Sequence, residues 1–321
     1  MCPAPAGSRL GNRVTAVRWQ RMLVELGHDA AIVDEVRDAC DVVIALHAEK
    51  SAEAVRGSRA EHPERPIVVA LTGTDLYRDI HEKEGARRSL AIADRLVVLH
   101  DLAPLDVPPA HRAKVRVVRQ SAERPPGTFA KAADAFEVAF VAHAREEKDP
   151  LRPALAARRL PPSSRVRVVH AGAALSTDME AALAREASEN ARYVFRGELP
   201  EAEARALIAR SSLLVLTSVM EGGANVLGEA IVARTPPVAT RIPACVAALG
   251  ADHPGLFAVG DTEGLASLLL RAETDRAFYE ALATSAAARG PLFDPSTERR
   301  ALEALLDEVA PRRPLGYVSS T

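Results

Sequence analysis

Aromatic residues are scarce in this chain, and so is net charge. Phe, Trp and Tyr make up 4% of the 321 residues, and the formal net charge is -2 at pH 7. Proteins that bind single-stranded nucleic acid stack the bases on aromatic side chains, and polyanion-binding domains carry a basic surface. The composition therefore argues against a nucleic acid partner and leaves only local positive charge, suited to one or two phosphates.

Cysteines are few, and long apolar runs and a leader sequence are lacking. Cys2, Cys40 and Cys245 are scattered without metal-ligand spacing, as in proteins of a reducing compartment. No apolar run approaches the length of a membrane span, and the first residues have neither the basic start nor the apolar core of a signal peptide. We therefore expect a cytoplasmic protein that does not bind or span a membrane.

Motifs for metals and cofactors are also missing. The sequence has no Asp-x-Asp after a strand, no His/Cys cluster, no Walker sequence and no Gly-x-Gly-x-x-Gly dinucleotide fingerprint. We expect no metal and no cofactor.

The pattern that is present is an alternation of short β-rich runs with helical Ala/Arg/Glu/Leu segments, which is typical of parallel α/β sheets. A well-marked helix is predicted between Asn12 and Leu26. The predicted strands are 30–33, 42–46, 67–71, 95–99 and 115–118 in the first half, and 137–141, 166–169, 193–195, 213–216 and 237–240 in the second.

The length is that of two domains, and residues 121–127 are typical of a linker. We predict an N-terminal domain over 1–125, a C-terminal domain over 126–292, and a final helix and tail over 293–321. Two such α/β domains hold ligands in a cleft at the carboxyl ends of their strands.

The sequence also predicts the local structure at both ends of the chain. Residues 3–12 have the composition of a loop that follows a strand, so the first strand of the N-terminal domain is either lacking or truncated. Ser296 or Thr297 is expected to cap the final helix, and the residues from Arg312 onward are predicted to form a loose tail.

Two acidic residues flank a small-residue turn in the stretch Glu221-Gly-Gly-Ala-Asn-Val-Leu-Gly-Glu229. A strand is predicted before the turn and a helix over 226–233 after it. The start of a helix is an anion site, because its N–H groups and the positive end of its dipole face outward. The acids suit nearby hydroxyl groups, such as those of a ribose. Each acid alone is explained as a surface or helix-dipole residue, but the combination favours a sugar-nucleotide site.

Further candidates follow other strands. Arg145 and Lys148 come after the strand at 137–141 and could bind a diphosphate, although a charged surface loop explains them also. In the first half, residues 7–14 precede a helix and could hold an anion. The loop 71–78 offers hydroxyls, a glycine and an arginine, or else is a capped turn. His47 ends a strand, where a lone His is more often structural.

The acid pair, together with Arg145 and Lys148, resembles the retaining GT-B glycosyltransferases of family 4 over most of the chain. The resemblance implies two Rossmann-like domains facing a cleft, with the final helix crossing back to the first domain. It implies that Glu229 binds the ribose, that Glu221 binds the donor sugar, and that Arg145 and Lys148 stabilise the departing diphosphate. The implied UDP-binding residues are Arg145, Lys148, Arg196, Gly197, Asn225, Val226, Leu227 and Glu229, and the implied donor-sugar residues are Glu221, Gly222, Gly223, Ala224, Asn225 and His47.

The acceptor half departs from that family, with Thr72-Gly73 in place of a His-Gly and Gln120-Ser121 in place of an Asn-Gly. The segments 11–19, 46–48, 70–79 and 119–122 are similar to the selenosugar synthases of selenoneine biosynthesis. That resemblance implies transfer of a sugar, expected to be N-acetylglucosamine, from a UDP-sugar to selenophosphate. The expected acceptor-binding residues are Gly11, Asn12, Arg13, Thr72, Gly73 and Arg78.

Other functions remain compatible with these residues. One is an ordinary family 4 glycosyltransferase acting on a hydroxyl acceptor, and another is a UDP-sugar epimerase or hydrolase. A third is a sugar-nucleotide sensor without catalysis. The sequence fits a monomer or a homodimer.

Overall fold

The computed structural model describes residues 1–36 and 40–309. It divides into two compact units, of which the first comprises 1–119 and the chain from Glu298 onward, and the second comprises 120–297. The domain boundaries at 125/126 and 292/293 remain predictions, and the limits of the two compact units do not test them. The predicted tail from Arg312 lies outside the described residues.

The first unit is built on a four-stranded parallel sheet in the order β1-β2-β3-β4. Apolar side chains cover both of its faces, as expected for a parallel sheet. Its strands are β1 Val43–Leu46, β2 Ile67–Ala70, β3 Arg95–Val98 and β4 Val115–Val117. Its helices are α1 Gly11–Glu25, α2 Ala52–Glu61, α3 Ile80–Glu82 and α4 Glu84–Ile92, with a π-helical turn at Asp75–Asp79 and short 3-10 turns at Ala103–Leu105 and Pro109–Lys114.

Two features of the first unit differ from the sequence-based expectation. Residues 30–33 form no strand. Instead, the carbonyl of Val33 accepts a hydrogen bond from the Cys2 N–H at 3.1 Å. Met1 lies beside β1, where its ammonium donates to the Ile44 carbonyl at 2.6 Å and its carbonyl accepts from the Leu46 N–H at 3.1 Å. The chain therefore pairs with β1 in a strand-like manner before α1 begins.

The final helix, α12 (Pro295–Val309), joins the first unit from Glu298 onward, as the resemblance implied. Glu298 is 1% exposed and accepts from the Trp19 indole at 2.7 Å and from Arg18. The expectation of a Ser296 or Thr297 cap is wrong. Asp294 takes that place, since its carboxylate accepts from the Ser296 N–H at 2.8 Å.

The second unit contains a six-stranded parallel sheet in the order β10-β9-β8-β5-β6-β7. Its helices and buried apolar side chains cover both faces. Its strands are β5 Phe136–Val141, β6 Val166–Ala171, β7 Tyr193–Phe195, β8 Leu213–Leu216, β9 Pro237–Thr240 and β10 Leu256–Phe257. Its helices are α5 Arg152–Arg158, α6 Thr177–Glu189, α7 Glu201–Arg210, α8 Asn225–Val232, α9 Pro243–Leu249, α10 Thr262–Thr274 and α11 Arg276–Ala287, with short 3-10 turns at Glu146–Lys148 and Gly290–Phe293.

The strand order of this sheet reverses between β5 and β8. The chain runs outward from β5 through β6 to β7, and then returns to the other side of β5 with β8. Ligands of open α/β sheets bind at such a switch point, beyond the carboxyl ends of the two strands. The loops that follow β5 and β8 are therefore where the second unit is built to hold a ligand.

Candidate functional site

The loop after β8 ends in a helix start without a side-chain cap. Ala224 takes the N-cap position of α8 in the left-handed conformation, with φ 48° and ψ 51°. Non-glycine residues in this region are uncommon and often mark functional sites. The cap residue makes no side-chain hydrogen bond, and the first turn of this described helix carries no acid. The positive end of the α8 dipole is thus left for an anion.

Glu221 precedes this helix and pairs with Lys148 of the loop after β5. The Lys148 ammonium contacts Oε1 of Glu221, and the Ser218 hydroxyl donates to the same oxygen at 2.6 Å. The two charged side chains are 16% and 10% exposed. A charge pair this buried is stable when additional hydrogen bonds satisfy it, as Ser218 does here. The structure therefore brings together two of the three residues predicted to be catalytic.

The loop after β5 is fastened to the end of β8 by its backbone. The Thr217 hydroxyl lies 2.8 Å from the Lys148 carbonyl and 3.0 Å from the Asp149 carbonyl. The Val219 N–H donates to the Glu147 carbonyl at 2.9 Å. Asp149 is left-handed, with φ 44°. These contacts fix Lys148 next to Glu221 at the switch point.

Arg145, the third predicted catalytic residue, is directed elsewhere. Its guanidinium lies 3.8 Å from the Glu147 carboxylate of its own loop, and its side chain is 41% exposed. The structure keeps it on the same loop as Lys148 but does not bring it to Glu221. Its proposed role at a diphosphate stays a prediction.

The remaining residues of the acid–turn–acid stretch lie at or within α8. Gly222 is buried, and Gly223 and Asn225 are partly buried. Glu229 is partly buried in the second turn of α8, and Val226 is also partly buried. Leu227 packs fully into the core, so only its backbone could meet a ligand. Gly228 packs against Phe293, where an added Cβ would lie 2.6 Å from the ring.

Arg196 and Gly197 follow β7 at the same edge of the sheet. The Gly197 carbonyl accepts from the Gly172 N–H at 2.8 Å. Gly172 has φ 155°, and a Cβ there would lie 1.9 Å from the Ala142 carbonyl oxygen. Only glycine therefore lets the loops after β5, β6 and β7 run side by side.

His170 joins these loops from within the sheet. Its Nε2 lies 2.9 Å from the Ala142 carbonyl and must donate, so Nδ1 accepts from the Tyr193 hydroxyl at 2.6 Å. The ring is fully buried between aromatic side chains. Burial lowers the pKa of His170 to about 4.

This burial predicts an acid-sensitive second unit. An unfolded His has a pKa of about 6.5, so the stability due to neutral His170 is complete above pH 6.5 and is lost as the pH falls through about 4. The total loss is about 3 kcal/mol. We expect His170→Phe to flatten the pH dependence of the free energy of unfolding between pH 7 and 4, measured by denaturant titration. An unchanged slope in the variant would contradict this role.

In the first unit, the start of α1 resembles the start of α8, because its N-cap residue, Leu10, also makes no side-chain hydrogen bond. No acid lies in the first turn of this described helix. Gly11, Asn12 and Arg13 form that turn, with Arg9 just before it. The predicted acceptor residues of this segment thus surround the positive end of a helix.

The other predicted acceptor residues, Thr72, Gly73 and Arg78, have partners within the first unit. Asp75 is fully buried, and its Oδ1 accepts from the Thr72 and Gly73 N–H groups, both at 2.8 Å. Arg78 lies 3.2 Å from the buried Asp79 carboxylate. The two backbone amides are therefore used by the protein itself. Asp75 therefore serves the local structure of the loop 71–78.

His47 lies in the first unit, whereas the other predicted donor-sugar residues lie in the second. It is 3% exposed and left-handed, with φ 74°. The Lys50 N–H donates to Nδ1 at 3.3 Å, and Nε2 lies 2.9 Å from the Thr74 hydroxyl. Burial lowers the pKa of His47. Its ring therefore serves the local structure, and contact with a sugar stays a prediction.

The described residues contain neither a metal-binding cluster nor a membrane-spanning helix. No group of three or more His, Cys, Asp or Glu side chains in residues 1–36 and 40–309 is arranged to hold a metal ion. No helix of this described part is long and apolar enough to cross a membrane.

Comparison with known proteins gives a family match in the second unit. The sequence profile of the family "Glycosyl transferases group 1" matches residues 125–289, just over half of the chain. No curated protein sequence matches the chain.

Solved structures show the fold. HepE from Anabaena in complex with UDP superposes with a TM-score of 0.70 at 18% identity, over 84% of this chain and 79% of that chain. Sucrose-phosphate synthase from Thermosynechococcus elongatus gives 0.69 at 14% identity, over 95% and 80%. An α,α-trehalose-phosphate synthase (UDP-forming) from Burkholderia vietnamiensis gives 0.67 at 16%, over 92% and 78%. The predicted fold, two parallel-sheet α/β domains of the GT-B class, is confirmed.

Proposed function

The chain belongs to the glycosyl transferases group 1, and from this premise we propose that it transfers a sugar from a UDP-sugar to selenophosphate, giving a 1-seleno-sugar. Binding of the UDP-sugar donor is supported by one observation, the Lys148–Glu221 pair beside the start of α8, whose N-cap residue makes no side-chain hydrogen bond. UDP as the nucleotide is supported by the HepE complexes with UDP and with UDP-glucose.

Each donor group then has a place in the second unit. The diphosphate is bound by the start of α8 and by Lys148 and Arg145, where negative charge grows as UDP leaves. Glu229 accepts hydrogen bonds from the ribose, and Glu221 accepts one from the sugar. Arg196 and Gly197, at the end of β7, lie beside the nucleobase.

An anionic acceptor is supported by α1. Its first turn contains Arg13 and no acid, its N-cap residue makes no side-chain hydrogen bond, and Arg9 lies just before it. A helix start with nearby arginines suits a phosphate group better than a neutral hydroxyl. The choice of selenium rests on the resemblance carried by the segments 11–19, 46–48, 70–79 and 119–122.

The reaction balances without a redox step or a metal. Selenium of selenophosphate attacks C1 of the sugar, and the bond from C1 to the UDP oxygen breaks with its electron pair leaving on UDP. Water then cleaves the selenium–phosphorus bond, which releases phosphate and leaves the seleno-sugar. The selenium nucleophile is already anionic, so the step needs little base catalysis.

UDP release tests this proposal. Selenophosphate is generated from selenide before the protein and UDP-N-acetylglucosamine are added, and parallel reactions contain a panel of hydroxyl acceptors or receive EDTA together with the protein. We expect release that depends on selenium and is unaffected by EDTA, and a higher KM for selenophosphate in Arg13→Gln with unchanged UDP affinity.

Other outcomes identify the alternatives. Release without selenium on a hydroxyl acceptor indicates an ordinary glycosyltransferase. Free sugar or an epimer formed without acceptor indicates a hydrolase or epimerase. Tight UDP binding without turnover indicates a sensor.

A further inference from the structure

Three buried hydroxyl groups surround the Lys148–Glu221 pair at the carboxyl ends of β8 and β9. Thr217, Ser218 and Thr240 are each fully buried. A buried hydroxyl group that lacks a hydrogen-bond acceptor destabilises the protein. The acceptor of each of these three hydroxyls therefore indicates which part of the structure that hydroxyl fixes.

Ser218 determines how the Glu221 carboxylate is used. Its hydroxyl donates to Oε1 at 2.6 Å, and the Lys148 ammonium contacts the same oxygen. Among the described residues, none donates a hydrogen bond to Oε2. An ionised carboxylate can accept at both oxygens, so Oε2 is the atom of Glu221 with open acceptor capacity.

Thr240 holds Ser218 in turn. Its hydroxyl donates to the Ser218 carbonyl at 2.6 Å, and this contact joins β9 to the residue that follows Thr217. Thr217 fixes the other member of the pair, because its hydroxyl proton is shared by the backbone carbonyls of Lys148 and Asp149. The hydroxyls therefore position both members of the charge pair through short, buried contacts.

We propose that Ser218 and Thr240 are positioning residues for the donor sugar, holding Glu221 so that Oε2 accepts the hydrogen bond from a sugar hydroxyl. This role rests on the proposed function. It extends that function, because a carboxylate fixed in this way selects donors that present a hydroxyl at one position. A freely rotating carboxylate would tolerate several positions.

The test compares variants that remove one hydroxyl each. Ser218→Ala and Thr240→Val are measured for kcat with the UDP-sugar, and for binding of UDP and of the UDP-sugar by calorimetry. The matched control is Thr235→Val, because Thr235 is equally buried, donates to the Ile208 carbonyl at 2.8 Å, and lies before the start of β9, away from Thr240. Thr240→Ser restores the hydroxyl.

We expect Ser218→Ala to lower kcat roughly 10- to 100-fold, as for a hydrogen bond to a charged group. Thr240→Val should lower it by less, and Thr240→Ser and Thr235→Val should keep it. UDP affinity should stay unchanged, while UDP-sugar affinity falls. Equal losses for UDP and UDP-sugar, or no loss in either, would overturn the positioning role. A wild-type protein that does not bind UDP contradicts the proposed function itself, and the positioning role fails with it.

Discussion

Replacing Lys148 by Met is expected to lower kcat by about 10²- to 10³-fold, which is typical for the loss of one group that stabilises developing negative charge. Lys148 is 16% exposed and fixed beside Glu221, so its charge acts at short range and with little screening. The measurement is steady-state UDP release at saturating donor. Binding of UDP itself should weaken less than turnover, because the charge on the leaving diphosphate is greatest in the transition state.

The matched control is Lys131→Met. Lys131 is also a lysine of the second unit whose ammonium is held by hydrogen bonds, but it donates to the carbonyls of Ala209 and Ser211, before β8 begins. Loss of its charge should reduce stability and leave kcat of the folded protein unchanged. Equal losses of kcat in the two variants would mean that Lys148 acts only through stability.

Coupling between Lys148 and Glu221 is part of the same expectation. Removing one member of a buried pair leaves the other charge uncompensated, which costs about 3–5 kcal/mol. The double variant Lys148→Met/Glu221→Gln should therefore be more stable than Lys148→Met alone, although it is no more active.

The second large effect concerns Glu221 and Glu229, whose substitution is expected to impair different steps. Glu229→Ala is expected to raise the Kd for UDP roughly 10- to 100-fold, since in the proposed binding mode two ribose hydroxyls lose a charged acceptor. Glu221→Gln should leave the Kd for UDP unchanged and lower kcat with the UDP-sugar by about 10²-fold, because Glu221 pairs with the Lys148 ammonium and is proposed to contact the sugar. Calorimetry with UDP and steady-state assays with the UDP-sugar separate the two. Loss of UDP affinity in both variants to the same degree would show that the roles are not divided.

Much of the second unit follows from sequence because its signals are local. The runs 193–195, 213–216 and 237–240 are short, mainly apolar segments, and the structure has strands at the same residues. The two-residue strand β10 was missed, since a pair of residues carries no periodicity. The apolar run at 30–33 was predicted as a strand from its composition, but it does not pair within the four-stranded sheet.

In the site, too, features within one segment could be predicted from the sequence, whereas contacts between distant segments could not. The turn before α8 and its flanking acids were predictable, because their spacing along one segment defines them. The contacts that fix Lys148 come from Thr217, 69 residues away, and from Glu221, 73 residues away. Only the fold reveals such pairs. The hydroxyls at 217 and 218 directly after a buried strand were the one available hint.

The central claim, transfer of a sugar from UDP to selenium, is tested most directly by mass spectrometry of the reaction products. We predict a sugar product with the selenium isotope pattern, formed in equal amount to UDP and formed about 10²- to 10³-fold more slowly when Lys148→Met replaces the wild-type protein. A selenium-free glycoside or free sugar formed in equal amount to UDP, with no selenium-bearing product, would contradict the account.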